Sequence, residues 1–429
     1  MFIIYDLIIS LFALIYLPIY LFKRKFHPGF EARLGILPQD LKLDRPIWLH
    51  AVSVGEAMAA KNIIKELRLA YPGKKFFMTT VTPTGNKIAR AFSAKDDFVS
   101  YLPLDLSFIV KKTVDKVLPC MVIIMETEIW PNLISYFYKM KIPVALVNTR
   151  LSDRSFKGYL SLKFLTKGLL NKVSLFCAQT GMDAKRLIRL GVDPEKVKVT
   201  GNMKFDSAYC DEKKLAESKN KYLALLGMGK EDKLWVCGST HPKEEEIILD
   251  AYREILGEAP GMKLLIAPRH PERAADISGI VSRFGFRPVL VSKLPVEPCA
   301  CVTKPVFILD SVGELLYYYN IASMVFVGGS LVKKGGHNIL EPACLGKPVI
   351  TGPYMFNFRD IAALFAQNAA YIQIHDANGL AAQIAGLAKD PDKGFALARR
   401  GSQIISQNRG AALRSLELIG KLHEKGEQK

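Results

Sequence analysis

Short apolar runs rich in β-branched residues alternate with amphipathic stretches of helical length along most of the chain, the pattern of parallel sheets covered by helices on both faces. Runs at 47–52, 75–81, 121–125, 144–148, 175–178 and 197–200 predict a first set of strands. A charged, strand-poor stretch from 206 to 232 breaks the alternation and predicts an interdomain boundary. The pattern resumes at 234–238, 263–268, 289–291, 306–309, 324–328 and 348–351, which predicts a second doubly wound sheet. From Asp360 onward the chain reads as helical, through 378–389 and 394–421. The expected class is α/β, with two doubly wound Rossmann-like domains facing a cleft at the carboxyl ends of their strands, where ligands of open sheets bind. The expected divisions are 1–25 as a membrane anchor, 26–210 as the first domain, and 211–429 as the second domain with a helical tail.

With 429 residues, 49% of them hydrophobic, the chain is long enough to give each domain its own core. Residues 2–22 are an apolar run broken only by Asp6, Ser10 and Pro18, close to the ~20 residues that cross a bilayer. Lys23, Arg24 and Lys25 follow directly, and basic residues beside a span stay cytoplasmic. With no basic segment ahead of the run and no small-residue cleavage site after it, a cleaved signal peptide is disfavoured. Asp6 and Pro18 leave a half-inserted hairpin or interfacial helix as the alternative to a clean span. The net charge of +18 suits an anionic leaflet, a phosphorylated substrate or nucleic acid. Nucleic acid is disfavoured because the lysines are dispersed and no helix-turn-helix or aromatic-basic stacking motif is evident. The only close cysteine pair, Cys299 and Cys301, lacks the gap of common zinc sites, and the histidines show no metal-binding spacing, so no metal is expected.

The segment from Trp48 to Glu56 runs from a strand straight into a helix that starts near Ser53. Glu56 there either lines the cleft or closes a capping box with Ser53. Gly55, which in a first turn costs up to ~1 kcal/mol relative to alanine, marks close approach of a ligand. Glu126 and Glu128 cannot both be explained by one helix start, so one faces the cleft while the other caps or meets solvent. Lys204, after the last strand of the first domain, either meets a donor's negative charge or is a solvated loop lysine. In the second domain Arg269, held between Pro268 and His270-Pro271, suits planar recognition of a base or phosphate, with a plain turn as the alternative. Asp310-Ser311-Val312-Gly313-Glu314 presents backbone N–H groups to a ligand or caps a helix. Gly328-Gly329-Ser330, followed by Lys333, Lys334 and a helix opening at Asn338-Ile339-Leu340-Glu341, reads as a phosphate cradle. Glu341 is placed to accept hydrogen bonds from ribose, or simply to meet the helix dipole. Neither a P-loop nor a Gly-x-Gly-x-x-Gly fingerprint is present, so neither an NTPase nor a dinucleotide enzyme is indicated.

Taken together, His50 to Glu56, Thr82-Pro83-Thr84-Gly85, Glu126 to Asn132, Pro268 to His270, Gly328 to Ser330 and His337 to Glu341 resemble the 3-deoxy-D-manno-octulosonic acid (Kdo) transferases of lipopolysaccharide biosynthesis. The motifs stand in the same order from the N-terminal segment to about residue 360. The resemblance implies a GT-B fold, with a lipid A precursor (lipid IVA) as acceptor on the first domain and CMP-Kdo as donor on the second. It implies an inverting, metal-independent transfer with no cofactor, at the cytoplasmic side of a bacterial inner membrane. By matching motifs it implies Glu56 as the base, and Glu126 and Lys204 as supports of the transition state, with Glu128 as the fallback for Glu126. Donor contacts are implied for Pro268, Arg269, His270, Val312, Gly313, Glu314, Gly328, Gly329, Ser330, Asn338, Ile339, Leu340 and Glu341. Ser311-Val312 stands where members of that family often carry Thr-Met, a change expected to affect fit rather than activity. A GT-B enzyme using a UDP-sugar would keep the fold and the role of Glu341 but would not predict the Ser-Val-Gly-Glu and Pro-Arg-His runs together.

Overall fold

The structure is a computed structural model and describes residues 5–11, 29–206, 212–294 and 304–427. It forms two compact units, one of residues 1–207 with 408–429 and the other of residues 208–407. The first unit holds β1 (Ile47–His50), β2 (Phe76–Thr80), β3 (Phe98–Tyr101), β4 (Met121–Met125), β5 (Val144–Thr149), β6 (Leu175–Ala178) and β7 (Val197–Val199), all parallel, in the order β3-β2-β1-β4-β5-β6-β7. Every residue of β1, β2, β4 and β5 is buried, which is why these strands read as continuous apolar runs. Alternate positions feed two separate cores: Ile47, Leu49, Phe76 and Met121 on one face, Trp48, Phe77 and Val122 on the other. β3 was not foreseen. It is a short edge strand, interrupted by Ser100 and paired only with β2, so its pattern falls below the length at which a strand declares itself.

The second unit holds β8 (Lys233–Thr240), β9 (Met262–Pro268), β10 (Arg287–Leu290), β11 (Pro305–Ile308), β12 (Met324–Val327), β13 (Val349–Thr351) and β14 (Ile372–Gln373) in the order β10-β11-β9-β8-β12-β13-β14, again all parallel. The two-residue β14 lies in a region expected to be helical. In each sheet the chain changes direction beside its first strand, between β1 and β4 and between β8 and β12. Such switch points open a crevice at the carboxyl ends of the strands.

The tail departs from expectation. It breaks into the helices Pro391–Asn408 and Ala411–Glu427 at Gly410, whose φ is 86°, and the last helix belongs to the first unit rather than the second. The Asp206 carboxylate accepts from the N–H groups of Gly410 (2.6 Å) and Ala412 (2.7 Å), and Arg414 Nε donates to the Thr200 carbonyl at 2.7 Å. Ile419, fully buried, joins the core that contains Ile47 and Ile63 and so backs the helix Val54–Ala70 that carries Glu56. Ile419→Ala is expected to lower stability by about 2–4 kcal/mol, read by thermal or denaturant unfolding.

The expected membrane segment lies for the most part outside the described residues; residues 5–11 are helical. Among the described residues no helix is long and apolar enough to cross a membrane. Asp6 accepts from Ser107 N–H (3.2 Å) and from Asn132 Nδ2 (2.6 Å), which ties this stretch to the first unit.

Candidate active site

β1 delivers Glu56 to the switch point of the first unit. Ser53 caps the helix Val54–Ala70, and Glu56 lies in its first turn. The Glu56 carboxylate accepts from Val52 N–H at 2.7 Å and Ser53 Oγ at 3.0 Å, and it is 8% exposed. The capping-box reading therefore holds, and the carboxylate that closes the cap stands at the carboxyl end of β1. Burial raises its pKa to about 7; repulsion from Glu126 and Glu128 adds to this, while the hydrogen bonds from Val52 and Ser53 oppose it. A Cβ on Gly55 would meet only Ser53 Oγ, at 4.0 Å, so packing does not demand a glycine there.

The other acids come from β4, the neighbour across the switch. Glu126 ends the strand with φ 56°, its N–H on the Val147 carbonyl at 2.8 Å. Glu128, two residues on, is held above the usual carboxylate range by burial and by Glu126. Lys204 sits half-buried in a turn closed by its own N–H to Asn202 Oδ1 at 2.9 Å. That turn is pinned by Met203 N–H donating to Asn148 Oδ1 at 3.0 Å, with Asn148 at φ 55°. Two further residues went unassigned in the sequence. His50 is fully buried, with Nδ1 3.1 Å from the Thr79 carbonyl, and burial drops its pKa to about 4. The ring of Trp130 stands edge-on to it at 6.4 Å. Burial thus disfavours the charged form of His50.

In the second unit Pro268 ends β9, and Arg269 follows, exposed, with its N–H on the Thr240 carbonyl at 3.0 Å. His270 meets His241 edge-on at 6.2 Å. His241 and His337 bring their Nε2 atoms to 2.9 Å with nearly parallel rings, so one Nε2–H donates to the other ring's lone pair. Burial, then His241, Arg269 and His270, push His337 down to about 4; burial, then Lys334 and neighbouring cationic groups, lower His241. Glu314 accepts from Tyr222 Oη at 3.2 Å and from Ser311 Oγ, beside Val312, which is 86% exposed, and Gly313 at φ 92°. Asn338 Nδ2 donates to Glu341 at 3.0 Å. Burial raises the Glu341 carboxyl, against that hydrogen bond.

The expected phosphate cradle is corrected by this geometry. Gly328 N–H goes to the Gly238 carbonyl at 2.8 Å. The N–H groups of Gly329, Ser330 and Leu331 all donate to the buried Glu244 carboxylate, at 2.7, 3.0 and 2.9 Å, and His241 N–H joins them at 2.9 Å. The protein's own carboxylate occupies the nest. The glycines are there for packing: a Cβ on Gly328 would lie 2.6 Å from the Ser239 carbonyl, and Gly329 has φ 66°. Ile339 and Leu340 are fully buried, and Leu340 N–H donates to Asn338 Oδ1 at 3.1 Å.

Two doubly wound parallel units, the first with Glu56, Glu126 and Glu128 about its switch point, give the protein the GT-B fold, which glycosyltransferases and UDP-GlcNAc 2-epimerases both use. A glycosyltransferase from Rickettsia africae has the same fold, with a TM-score of 0.54 at 16% identity over 89% of this chain and 99% of that one. Residues 28–207 match the family model described as 3-Deoxy-D-manno-octulosonic-acid transferase (kdotransferase). The 3-deoxy-D-manno-octulosonic acid transferase of Haemophilus influenzae is 37% identical over 87% of this chain and 86% of its own length, and that of Chlamydophila psittaci is 29% identical over 96% and 94%. The chain belongs to this family of Kdo transferases, glycosyltransferases of lipopolysaccharide biosynthesis.

Proposed function

We propose that the chain moves Kdo from CMP-Kdo to the phosphorylated, acylated lipid A precursor lipid IVA, releasing CMP, with inversion at the anomeric carbon and without a metal. The observation that carries this reading is Glu56, an oriented and nearly buried carboxylate with a pKa of about 7. A base tuned near the working pH takes the acceptor's hydroxyl proton as that oxygen attacks the anomeric carbon. The bond from that carbon to the phosphate oxygen breaks, and its electron pair leaves with CMP. Glu126 and Lys204 steady the charge that develops, with Glu128 as the alternative to Glu126. Glu314 and Glu341 suit the hydroxyls of ribose, Arg269 suits the phosphate, and the Val312-Gly313 turn offers its backbone.

The acceptor's acyl chains and phosphates fit the exposed stretch Leu162, Lys163, Phe164 and Leu165, with Arg154 and Lys157 beside it in the sequence. We place the protein at the cytoplasmic face of a bacterial inner membrane through its N-terminal segment. Leu7, Ile8 and Leu11 support this, being more than half exposed close to the equally exposed Phe108.

The test supplies the solubilised protein with CMP-Kdo, generated in place, and lipid IVA, and follows the lipid by mass spectrometry. Kdo-sized increments are expected. Transfer only from a UDP-sugar would leave the fold and remove the donor.

A further inference from the structure

A pocket of about 640 Å³ opens at the switch point of the second unit, and His241, Lys243, His270, Arg273, Lys333 and Lys334 are among its lining residues. No carboxylate is among them. Of the acids nearest in sequence, Glu244 and Glu245 are fully buried and spent elsewhere, while Glu272, far from Lys333 and Lys334 in the sequence, is exposed and stands 3.7 Å from His270 Nδ1. Glu244 holds four backbone N–H groups. Glu245 holds Arg273 in a two-pronged ion pair (2.8 and 3.3 Å) together with Thr240 Oγ1 (2.9 Å). The charge of Arg273 is thereby offset. Lys243, Lys333 and Lys334 form no ion pair among the described residues, and they leave the pocket with uncompensated positive charge. Burial lowers the pKa of both His241 and His337, so this pair brings little charge to the pocket.

The arrangement across the sheet says which part of a ligand reaches this pocket. The helix Leu315–Ile321, which follows Glu314, packs against the helix Leu340–Cys344, which carries Glu341. The two acids suited to ribose hydroxyls therefore share one flank. Arg269 and His270 stand at the end of β9; His270 lines the pocket, and most of the other lining residues follow β8 and β12. A nucleotide sugar with its ribose on the acids and its phosphate at Arg269 extends its sugar over β8. Kdo is a 2-ulosonic acid, so the carbon bonded to the phosphate oxygen also bears a carboxylate, which lies immediately beside the phosphate.

Building on the CMP-Kdo reading above, we propose that this pocket is the subsite for the carboxylate of the donor sugar, with Lys333 and Lys334 as its principal partners. The same pocket discriminates against donors with neutral sugars, which would leave its lysines unanswered.

The test compares the full-length protein with its Lys333→Ala/Lys334→Ala variant. It measures the KM for CMP-Kdo and inhibition by CMP, which has the phosphate but no sugar carboxylate. Both lysines are exposed, so the variant is expected to fold. The KM should rise at least about tenfold while the CMP inhibition constant moves less than about twofold, and the Lys→Arg pair should recover most of the loss. An equal weakening toward CMP and CMP-Kdo would assign the lysines to the phosphate and overturn the proposal alone, as would an unchanged KM. Wild-type protein that uses a UDP-sugar and ignores CMP-Kdo would remove the donor reading, and this assignment with it.

Discussion

Glu56→Gln is expected to slow Kdo transfer by roughly 10²- to 10⁴-fold, the usual contribution of a positioned general base, while the protein stays folded. The amide oxygen still accepts one of the two hydrogen bonds now given by Val52 and Ser53, and a weakened cap costs about 0.5–2 kcal/mol. The pH dependence separates chemistry from capping. Only ionised Glu56 accepts a proton, so the wild-type rate should rise with pH through about 7. The residual rate of the variant should lack that inflection. Stability runs the other way. Because the folded-state pKa lies above the ordinary glutamate value of 4.5, the contribution of Glu56 to stability is present below that value and is lost as pH rises through about 7. The melting-temperature deficit of the variant should therefore shrink toward alkaline pH as its activity deficit widens. Initial rates and melts across this range decide the matter, and wild-type turnover in the variant would remove Glu56 from the mechanism.

Much of this was legible because both sheets are parallel and buried on both faces. Such strands must be apolar throughout, and β1, β4, β8 and β12 stand out as runs whose ends locate the two switch points. What failed to show was whatever depends on distant partners. The short edge strand β3 and the two-residue β14 borrow their order from neighbours. The last helix carries an ordinary amphipathic pattern, which does not say which core receives it; Asp206, Thr200 and Ile419 decide that. His50 and Trp130 lie inside quoted motifs, yet their edge-on packing against each other needed the ring geometry. The glycine loop misled for a related reason. Gly329, Ser330 and Leu331 do form an anion nest, but its anion, Glu244, comes from 85 residues before Gly329.

Glu244→Ala is accordingly expected to be the most damaging change in the second unit. It strands four N–H groups, those of Gly329 and Ser330 fully buried and those of His241 and Leu331 partly so. Each unsatisfied buried donor costs about 1–3 kcal/mol, and because the costs do not add fully, a total near 3–5 kcal/mol is expected. Thermal melting reads this loss. Donor affinity should fall with it, because the loop released at Gly329 to Leu331 leads directly to Lys333 and Lys334. Glu244→Gln should be intermediate, since one oxygen can still accept while the amide N–H₂ opposes the remaining donors. Formate in the millimolar range should restore part of the melting temperature of Glu244→Ala but not that of the wild type, because the emptied nest is an anion site. A Glu244→Ala protein that melts like the wild type would show that the carboxylate does not hold the loop. Glu56 and Glu244 occupy matching places, each in the first turn of the helix after the first strand of its sheet. The number of donors separates them. Four backbone N–H groups bind Glu244 completely, whereas one N–H and one hydroxyl orient Glu56 and leave it an edge on which to take a proton.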